Sequence, residues 1–133
     1  MQVDEMESQS LPVKDGDSEW PVPGIWRPTI HKIVTAFVGH DYELAQGIAG
    51  VDPISSDLAE GMRRYIQDYG AELTDLPEDT WKSSVCIWMG NRWEALIDLW
   101  TVEEGRSDLV LHLFVRETGN SDYKFNVHLV YVP

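Results

Sequence analysis

The spacing of apolar residues changes once along this chain, and that change restricts the folds open to it. Between Ile30 and Tyr69 the apolar residues recur every three or four positions, which is typical of amphipathic helices. After a polar link at residues 72–80 they recur every second position, which is typical of strands. Helices followed by a block of strands predict an α+β domain.

Two helices are predicted before the link. The first begins at Pro28, because proline suits the first helical position, and its apolar stripe ends at Gly39. The second is capped by Ser55 or Ser56 and stops at Gly70, since glycine favours the end of a helix. We expect both helices to pack on one face of the sheet.

Four strands are predicted after the link, and short connections join them. Gly90, Gly105 and Gly119 mark these connections, and short connections force neighbouring strands to be antiparallel. The sequence therefore predicts a four-stranded antiparallel meander in chain order. Its strands cover Ser83–Met89, Arg92–Val102, Asp108–Glu117 and Tyr123–Val132.

The first 24 residues differ in composition from the rest. They hold six acidic residues against Lys14, a net charge of 1 − 6 = −5, and they end in Pro21-Val22-Pro23-Gly24. They show no apolar period, so we predict a disordered acidic tail at residues 1–24. Residues 25–133 have a length typical of one domain, so a single α+β domain is predicted there.

Charge and composition exclude several functions. The net charge of −13 is unfavourable for nucleic acid and for anionic membranes, because both require a basic surface. One cysteine cannot form an internal disulfide, and no apolar run is long enough to span a membrane. We also see no leader at the N-terminus. A cytoplasmic protein without a cofactor is expected.

The turn positions assign each strand residue to a face of the sheet. A loop at Gly90-Asn91 pairs Trp88 with Trp93, and a loop at Glu104-Gly105 pairs Ile97 with His112. A turn about Asn120 pairs His112 with His128. We expect the core face to carry Val85, Ile87, Leu96, Trp100, Leu109, Leu111, Leu113, Val115, Phe125, Val127, Leu129 and Tyr131.

The second face is the most informative feature, because a solvated face is ordinarily polar and this one is not. It carries Cys86, Arg116, Asn126 and Val130 together with several large apolar and aromatic residues. A protein partner is therefore predicted to bind this face. The predicted partner-binding residues are Trp88, Trp93, Ile97, His112, Phe114 and His128.

Catalytic and metal chemistry receive little support. His112 and His128 are predicted neighbours, but a catalytic zinc site takes three protein ligands and no third ligand lies near, so no metal is predicted. Cys86 has no adjacent histidine, and no known catalytic motif is present. Asp98 falls on the predicted core face, where it either pairs with a helix side chain or acts as a base in a pocket between sheet and helices.

The charged turn that precedes the third strand has two interpretations. It is either a structural turn or a docking element in which Arg106 presents its guanidinium to a carboxylate. Its candidate docking residues are Glu103, Glu104, Arg106 and Asp108.

The run Leu99-Trp100-Thr101-Val102-Glu103-Glu104-Gly105-Arg106-Ser107-Asp108-Leu109 resembles the signature of a bacterial domain family of unknown function. The helix that ends in Asp68-Tyr69-Gly70 and the Leu76-Pro77 link are also similar to that family. The resemblance covers roughly residues 28–133. It implies a bacterial source and an α+β fold, and it transfers no catalytic residue.

Two functions follow as hypotheses. The first is a non-enzymatic protein-binding module, which is either an immunity-like or inhibitory partner of a basic protein or a homodimer. The second is a small-molecule-binding or enzymatic domain with a pocket near Asp98.

Overall fold

The protein is an α+β domain in which two helices and a six-stranded antiparallel sheet share one buried core. A computed structural model of the chain describes residues 10–119 and 121–133. The helices are α1, Arg27–Val38, and α2, Ser56–Tyr69. The strands are β1 Trp20–Pro21, β2 Leu73–Thr74, β3 Val85–Trp88, β4 Trp93–Thr101, β5 Gly105–Gly119 and β6 Asp122–Tyr131.

The predicted α+β class and antiparallel sheet are confirmed, but the sheet has six strands and not the predicted four. The strand order is β1-β3-β4-β5-β6, so the four long strands do follow one another in chain order. The two-residue strand β1 pairs with β3, and the two-residue strand β2 pairs with the end of β4. Their shortness explains why the period-two pattern did not reveal them.

The helix ends follow ordinary capping chemistry. Pro28 lies in the first turn of α1. The Ser55 hydroxyl caps α2 by accepting a hydrogen bond from the Leu58 amide at 3.2 Å, and Gly70 ends this helix with a positive φ of 89°. Neither helix of the described chain is long and apolar enough to cross a membrane.

The turn between β4 and β5 has three residues, 102–104, because Thr101 pairs with Gly105, and this differs from the predicted two-residue loop. An irregularity in β5 then changes the register a second time. Asp98 pairs with Val110 and Trp100 pairs with Arg106, so Ser107–Leu109 places extra residues opposite Leu99 alone. The Ser107 hydroxyl donates to the Leu99 carbonyl at 2.8 Å and accepts from the Leu109 amide at 3.1 Å. These bonds satisfy the backbone where the ladder is interrupted.

The three-residue turn reverses the faces that were predicted for β3 and β4, whereas the irregularity adds two residues and keeps the alternation; the net difference from the predicted register is one residue. Ile97 pairs with Leu111, not with His112, which pairs with Leu96. The predicted pairing of Trp88 with Trp93 is confirmed. Because side chains alternate along a strand, a shift of one residue moves every side chain of β4 to the opposite face.

A second irregularity lies in β6 and makes His128 an extra residue. Leu113 pairs with Val127, whereas His112 pairs with Leu129, so His128 has no direct partner on β5. The predicted pairing of His112 with His128 is therefore wrong. Beyond this bulge Val130 turns into the core and Leu129 is exposed, the reverse of the prediction. The predicted turn about Asn120 lies outside the described residues.

The core face is therefore only partly the predicted one. The predicted buried residues of β5 and the first half of β6 are confirmed, while Val85, Ile87, Leu96, Trp100, Leu129 and Tyr131 retain exposed surface. The buried sheet residues are Cys86, Trp93, Ala95, Ile97, Leu99, Leu109, Leu111, Leu113, Val115, Phe125, Val127 and Val130. The helices add Ile30, Ile33, Val34, Phe37, Met62 and Ile66 to the same core.

Residues 10–24 pack against the domain, which differs from the predicted tail; residues 1–9 lie outside the described residues. Trp20–Pro21 forms β1, and Val22 is buried in the core. The Trp93 indole donates to the Val13 carbonyl at 3.0 Å, and Lys14 lies 5.3 Å from the Trp88 ring. The acidic composition concealed these contacts, because apart from the buried Val22 they use the backbone and the one basic residue of the segment.

We expect Ile97→Ala to lower the free energy of unfolding by about 2–5 kcal/mol, because the substitution leaves a cavity in the core. Leu96→Ala is the matched control, since the Leu96 side chain lies on the opposite face and is partly exposed, and the substitution should cost less than half as much. Urea denaturation measures both. An equal loss of unfolding free energy in both variants, or a larger loss for Leu96→Ala, would support the register predicted from the sequence instead.

Deletion of residues 1–19 should lower the free energy of unfolding by about 1–2 kcal/mol, because it removes the Val13 carbonyl and other polar contacts. The Trp93 indole signal in an NMR spectrum should shift in the shortened chain. An unchanged denaturation midpoint would instead support a disordered tail at residues 1–24.

Candidate functional site

The sheet face opposite the buried one, here called the outer face, is rich in apolar and aromatic residues that retain exposed surface. It is formed by the strand positions that alternate with the core residues. Its apolar and aromatic members are Val85, Ile87, Leu96, Trp100, Phe114, Leu129 and Tyr131. Such a surface is the first candidate for a functional site, because solvated sheet faces are ordinarily polar.

A chain of hydrogen bonds, here called the polar network, crosses the outer face through Arg92, Glu94, His112 and Tyr131. His112 Nε2 lies 2.7 Å from Glu94 Oε1, and His112 Nδ1 lies 3.1 Å from Tyr131 Oη. Arg92 donates to the other oxygen of Glu94 at 2.9 Å. The His112 and Glu94 side chains are only 14% and 17% exposed, so the network is held in place among its neighbours.

Hydrogen-bonding chemistry fixes the tautomer of neutral His112. The Glu94 carboxylate can only accept, so Nε2 of His112 carries the proton. Nδ1 is then the acceptor for the Tyr131 hydroxyl. Both ring nitrogens are thus occupied, and the imidazole has no free nitrogen for an incoming group.

Aromatic rings surround the polar network. The ring of His128 stacks on that of Phe114 with centroids 4.4 Å apart, and it lies 5.0 Å from the ring of His112. The Arg92 guanidinium lies 4.1 Å from the Phe114 ring, a cation–π contact. The bulge in β6 leaves His128 near His112 although the two residues are not paired.

The site shifts the pKa values of two of its groups. Partial burial by itself raises the pKa of Glu94, but hydrogen bonds and positive charge from His112 and Arg92 outweigh burial and hold it below its ordinary value of 4.5. Desolvation lowers the pKa of His128 below its ordinary value of 6.5, and positive charge on His112 lowers it further. The outer face thus favours an ionised Glu94 and a neutral His128.

Only three of the six predicted partner-binding residues lie together on the outer face. These are His112, Phe114 and His128. Trp93 and Ile97 are buried in the core, where Trp93 contacts Trp26 at a centroid distance of 5.5 Å. Trp88 is on the core side and packs against Trp93 with centroids 4.7 Å apart.

Sequence reasoning missed Arg92, Glu94 and Tyr131. Glu94 and Tyr131 pair with or adjoin residues of the outer face only in the observed register. The signal that would have found Glu94 is the strict alternation of β4, in which Glu94, Leu96 and Asp98 share one face.

The charged turn before β5 is tied to the rest of the domain. Glu103 accepts a hydrogen bond from the Glu72 amide at 3.0 Å, and Glu104 accepts one from the Tyr69 hydroxyl at 2.8 Å. The Tyr69 hydroxyl in turn accepts from the Asp108 amide at 3.3 Å. Arg106 is exposed. These bonds give the turn a structural role, and a docking role for Arg106 stays a prediction.

Asp98 lies on the outer face, so the predicted position between sheet and helices is wrong. Its carboxylate accepts a hydrogen bond from the Ser83 hydroxyl, and its amide donates to the Ser84 hydroxyl at 2.9 Å. The Thr80 hydroxyl donates to the Asp98 carbonyl at 2.7 Å. The one-residue register shift moved this side chain, and its carboxylate bonds the Ser83 hydroxyl instead of a helix-borne base.

Neither a reactive thiol nor a metal-binding cluster is found in the described part of the chain. Burial raises the pKa of the Cys86 thiol to about 11, so this thiol is un-ionised at neutral pH. Within residues 10–119 and 121–133, no group of three or more histidine, cysteine, aspartate or glutamate side chains is placed to hold a metal ion.

The fold and the site define an α+β domain whose sheet keeps one apolar face open. A family model described as a domain of unknown function, DUF7668, matches residues 34–133, and the chain belongs to this family. The match includes the run Leu99–Leu109 and begins within α1. No curated protein and no solved structure matches the chain.

We expect the free energy of unfolding to fall as the pH decreases below about 6.5. Folded His128 has a lowered pKa, so the unfolded chain binds protons more readily in this range and acid favours unfolding. Glu94 adds a loss of stability only below its ordinary pKa of 4.5, because its folded pKa is also lowered. Urea denaturation at pH 7.5, 6.5 and 5.5 measures the loss of stability assigned to His128, because all three pH values lie above the range assigned to Glu94.

His128→Asn should reduce the loss of stability between pH 7.5 and pH 5.5. His40→Asn is the matched control, because His40 lies in an exposed loop with a positive φ of 65° that asparagine tolerates. Identical pH dependence in wild type and His128→Asn would contradict the assignment to His128.

Proposed function

We propose that this protein is a non-enzymatic protein-binding module that docks a partner on its outer face. The observation that carries the proposal is the partly exposed set of aromatic and apolar residues around the polar network. Aromatic residues and arginine are enriched in protein interfaces, and they supply most of the residues whose truncation weakens binding. Phe114, with Arg92 and His128 against its ring, is the expected centre of this interface.

A binding role suits the outer face better than catalysis does. His112 uses both ring nitrogens and Glu94 uses both carboxylate oxygens within the polar network. A general base must instead reach the proton that it removes from a substrate. Groups that are already engaged with one another are preorganised, and preorganisation lowers the entropy cost of binding.

The charge of the chain supports a basic protein as the partner. A net charge of −13 speeds the encounter with a cationic protein, while two copies of this chain repel one another. We therefore propose an immunity-like or inhibitory partner of a basic protein in the bacterial cytoplasm. A homodimer through the same face is the alternative outcome of the test.

The test is light scattering and calorimetric titration of the purified chain, alone and with the basic product of a neighbouring gene. We expect a monomer that forms a complex with that product. Phe114→Glu should weaken the complex by about 30-fold or more, because it places an unpaired charge at the centre of the interface. Val102→Glu is the matched control, since Val102 is exposed in the turn between β4 and β5.

Each outcome decides part of the proposal. A complex that Phe114→Glu and Val102→Glu affect equally would exclude the outer face as the docking site. A wild-type dimer that Phe114→Glu converts to a monomer would keep the face and replace the basic partner with a second copy. A monomer that binds none of the neighbouring gene products would overturn the proposed function.

A further inference from the structure

The hydroxyl group of Tyr131 lies at one end of the polar network, and the proposed function does not use its chemistry. Tyr131 is the last residue of β6, and its side chain keeps part of its surface exposed. Its hydroxyl lies 3.1 Å from Nδ1 of His112. A hydroxyl that is held against an imidazole at a partly exposed position is a candidate nucleophile.

Tyr131, His112 and Glu94 follow one another in the order nucleophile, base and carboxylate. The Tyr131 hydroxyl donates to Nδ1 of neutral His112, and Nε2 of His112 donates to Glu94 at 2.7 Å. The serine, histidine and aspartate of serine hydrolases follow the same order, in which the histidine takes the proton of the nucleophile. In this protein a phenol takes the place of the serine hydroxyl.

The carboxylate of Glu94 supports His112 as a base. Its pKa lies below the ordinary value, so Glu94 is ionised at neutral pH. An ionised carboxylate on Nε2 orients the ring and stabilises the imidazolium that forms when Nδ1 takes a proton. The two side chains are only 14% and 17% exposed, so salt screens their interaction less than it screens a pair on the open surface.

The oxygen of Tyr131 keeps its lone pairs for reaction. It uses its hydrogen in the bond to His112, and it accepts no hydrogen bond within the described part of the chain. The hydroxyl groups of Tyr65 and Tyr69 each accept a hydrogen bond from a backbone amide, at 3.1 Å and 3.3 Å. A lone pair that accepts a hydrogen bond is less available to attack an electrophile, so Tyr131 is favoured over both.

The other tyrosines lack an equivalent base. Tyr69 donates to the Glu104 carboxylate at 2.8 Å, but a carboxylate is ordinarily a weaker base than an imidazole by about 2 pKa units. Tyr42 is buried, and desolvation raises the pKa of the Tyr123 hydroxyl. Among the described residues, Tyr131 is thus the one tyrosine whose hydroxyl is hydrogen-bonded to a histidine.

The surroundings of Tyr131 favour an uncharged group on its oxygen. Leu129 lies two residues earlier on the same face and is 39% exposed. Transfer of a phosphoryl group requires cations that neutralise its charge, and the Arg92 guanidinium of the network is already paired with Glu94 at 2.9 Å. An acyl group adds no charge, so an acyl donor fits this position better.

We infer that Tyr131 is a covalent modification site that takes an acyl group from an activated ester or thioester. The Tyr131 oxygen forms a bond to the acyl carbon while the bond from that carbon to the leaving group breaks. The phenolic proton passes to Nδ1 of His112 and from there to the leaving group or to solvent. The product is an acyl-tyrosine ester beside neutral His112, and nothing is oxidised or reduced. The inference does not rest on the partner proposed for the outer face.

The test is reaction of the full chain with p-nitrophenyl acetate at pH 7.5, followed by mass spectrometry of peptides to measure acetylation at each tyrosine. We expect Tyr131 to be acetylated at least about tenfold faster than Tyr65 or Tyr69, because general-base catalysis contributes about 10²–10⁴-fold. Unfolding the chain in urea should remove the difference, because it separates Tyr131 from His112.

Substitutions test the roles of the neighbouring groups. His112→Gln should slow acetylation of Tyr131 by about tenfold or more, since glutamine keeps hydrogen-bonding groups but is not a base. Glu94→Gln should slow it by about threefold or more, because a neutral amide does not stabilise the imidazolium. Glu104→Gln is the matched control, because it removes the same charge beside Tyr69 and should leave the rate at Tyr131 unchanged.

Two results would overturn the inference. The first is acetylation of Tyr131 in the folded wild-type chain that is no faster than that of Tyr65 and Tyr69, a comparison that needs no variant. The second is an unchanged rate at Tyr131 in His112→Gln with a native circular dichroism spectrum, which would show that exposure alone sets the reactivity.

Discussion

The hydrogen bonds of Ser107 hold the irregular segment that sets which residue of β5 lies opposite each residue of β4. With Ser107 bonded to Leu99 and Leu109, Ile97 lies opposite Leu111 in the core. The positions of Asp98 and Glu94 on the outer face follow from the three-residue turn that joins β4 to β5. One hydroxyl group thus supports both the packed core and the assembly of the polar network.

Local signals in the sequence predicted the elements well, but not their alignment. The cap at Ser55, the stop at Gly70 and the hairpin that pairs Trp88 with Trp93 depend on neighbouring residues, which the sequence displays directly. The bulges at Ser107–Leu109 and His128 interrupt long-range pairing and leave no mark in an apolar pattern of period two. The turn between β4 and β5 has three residues where two were predicted, so half of the predicted partner-binding set was assigned to the wrong face.

Strand β1 forms the edge of the sheet next to β3, and its short length limits the joining of further copies of this domain at that edge. Proteins with an exposed sheet edge risk polymerising by strand addition. Here β1 is only two residues long and ends at Pro21, which has no amide hydrogen to offer a further strand. Addition of a strand at that edge would first require β1 to detach. The short strand therefore prevents open-ended polymerisation through this edge of the sheet.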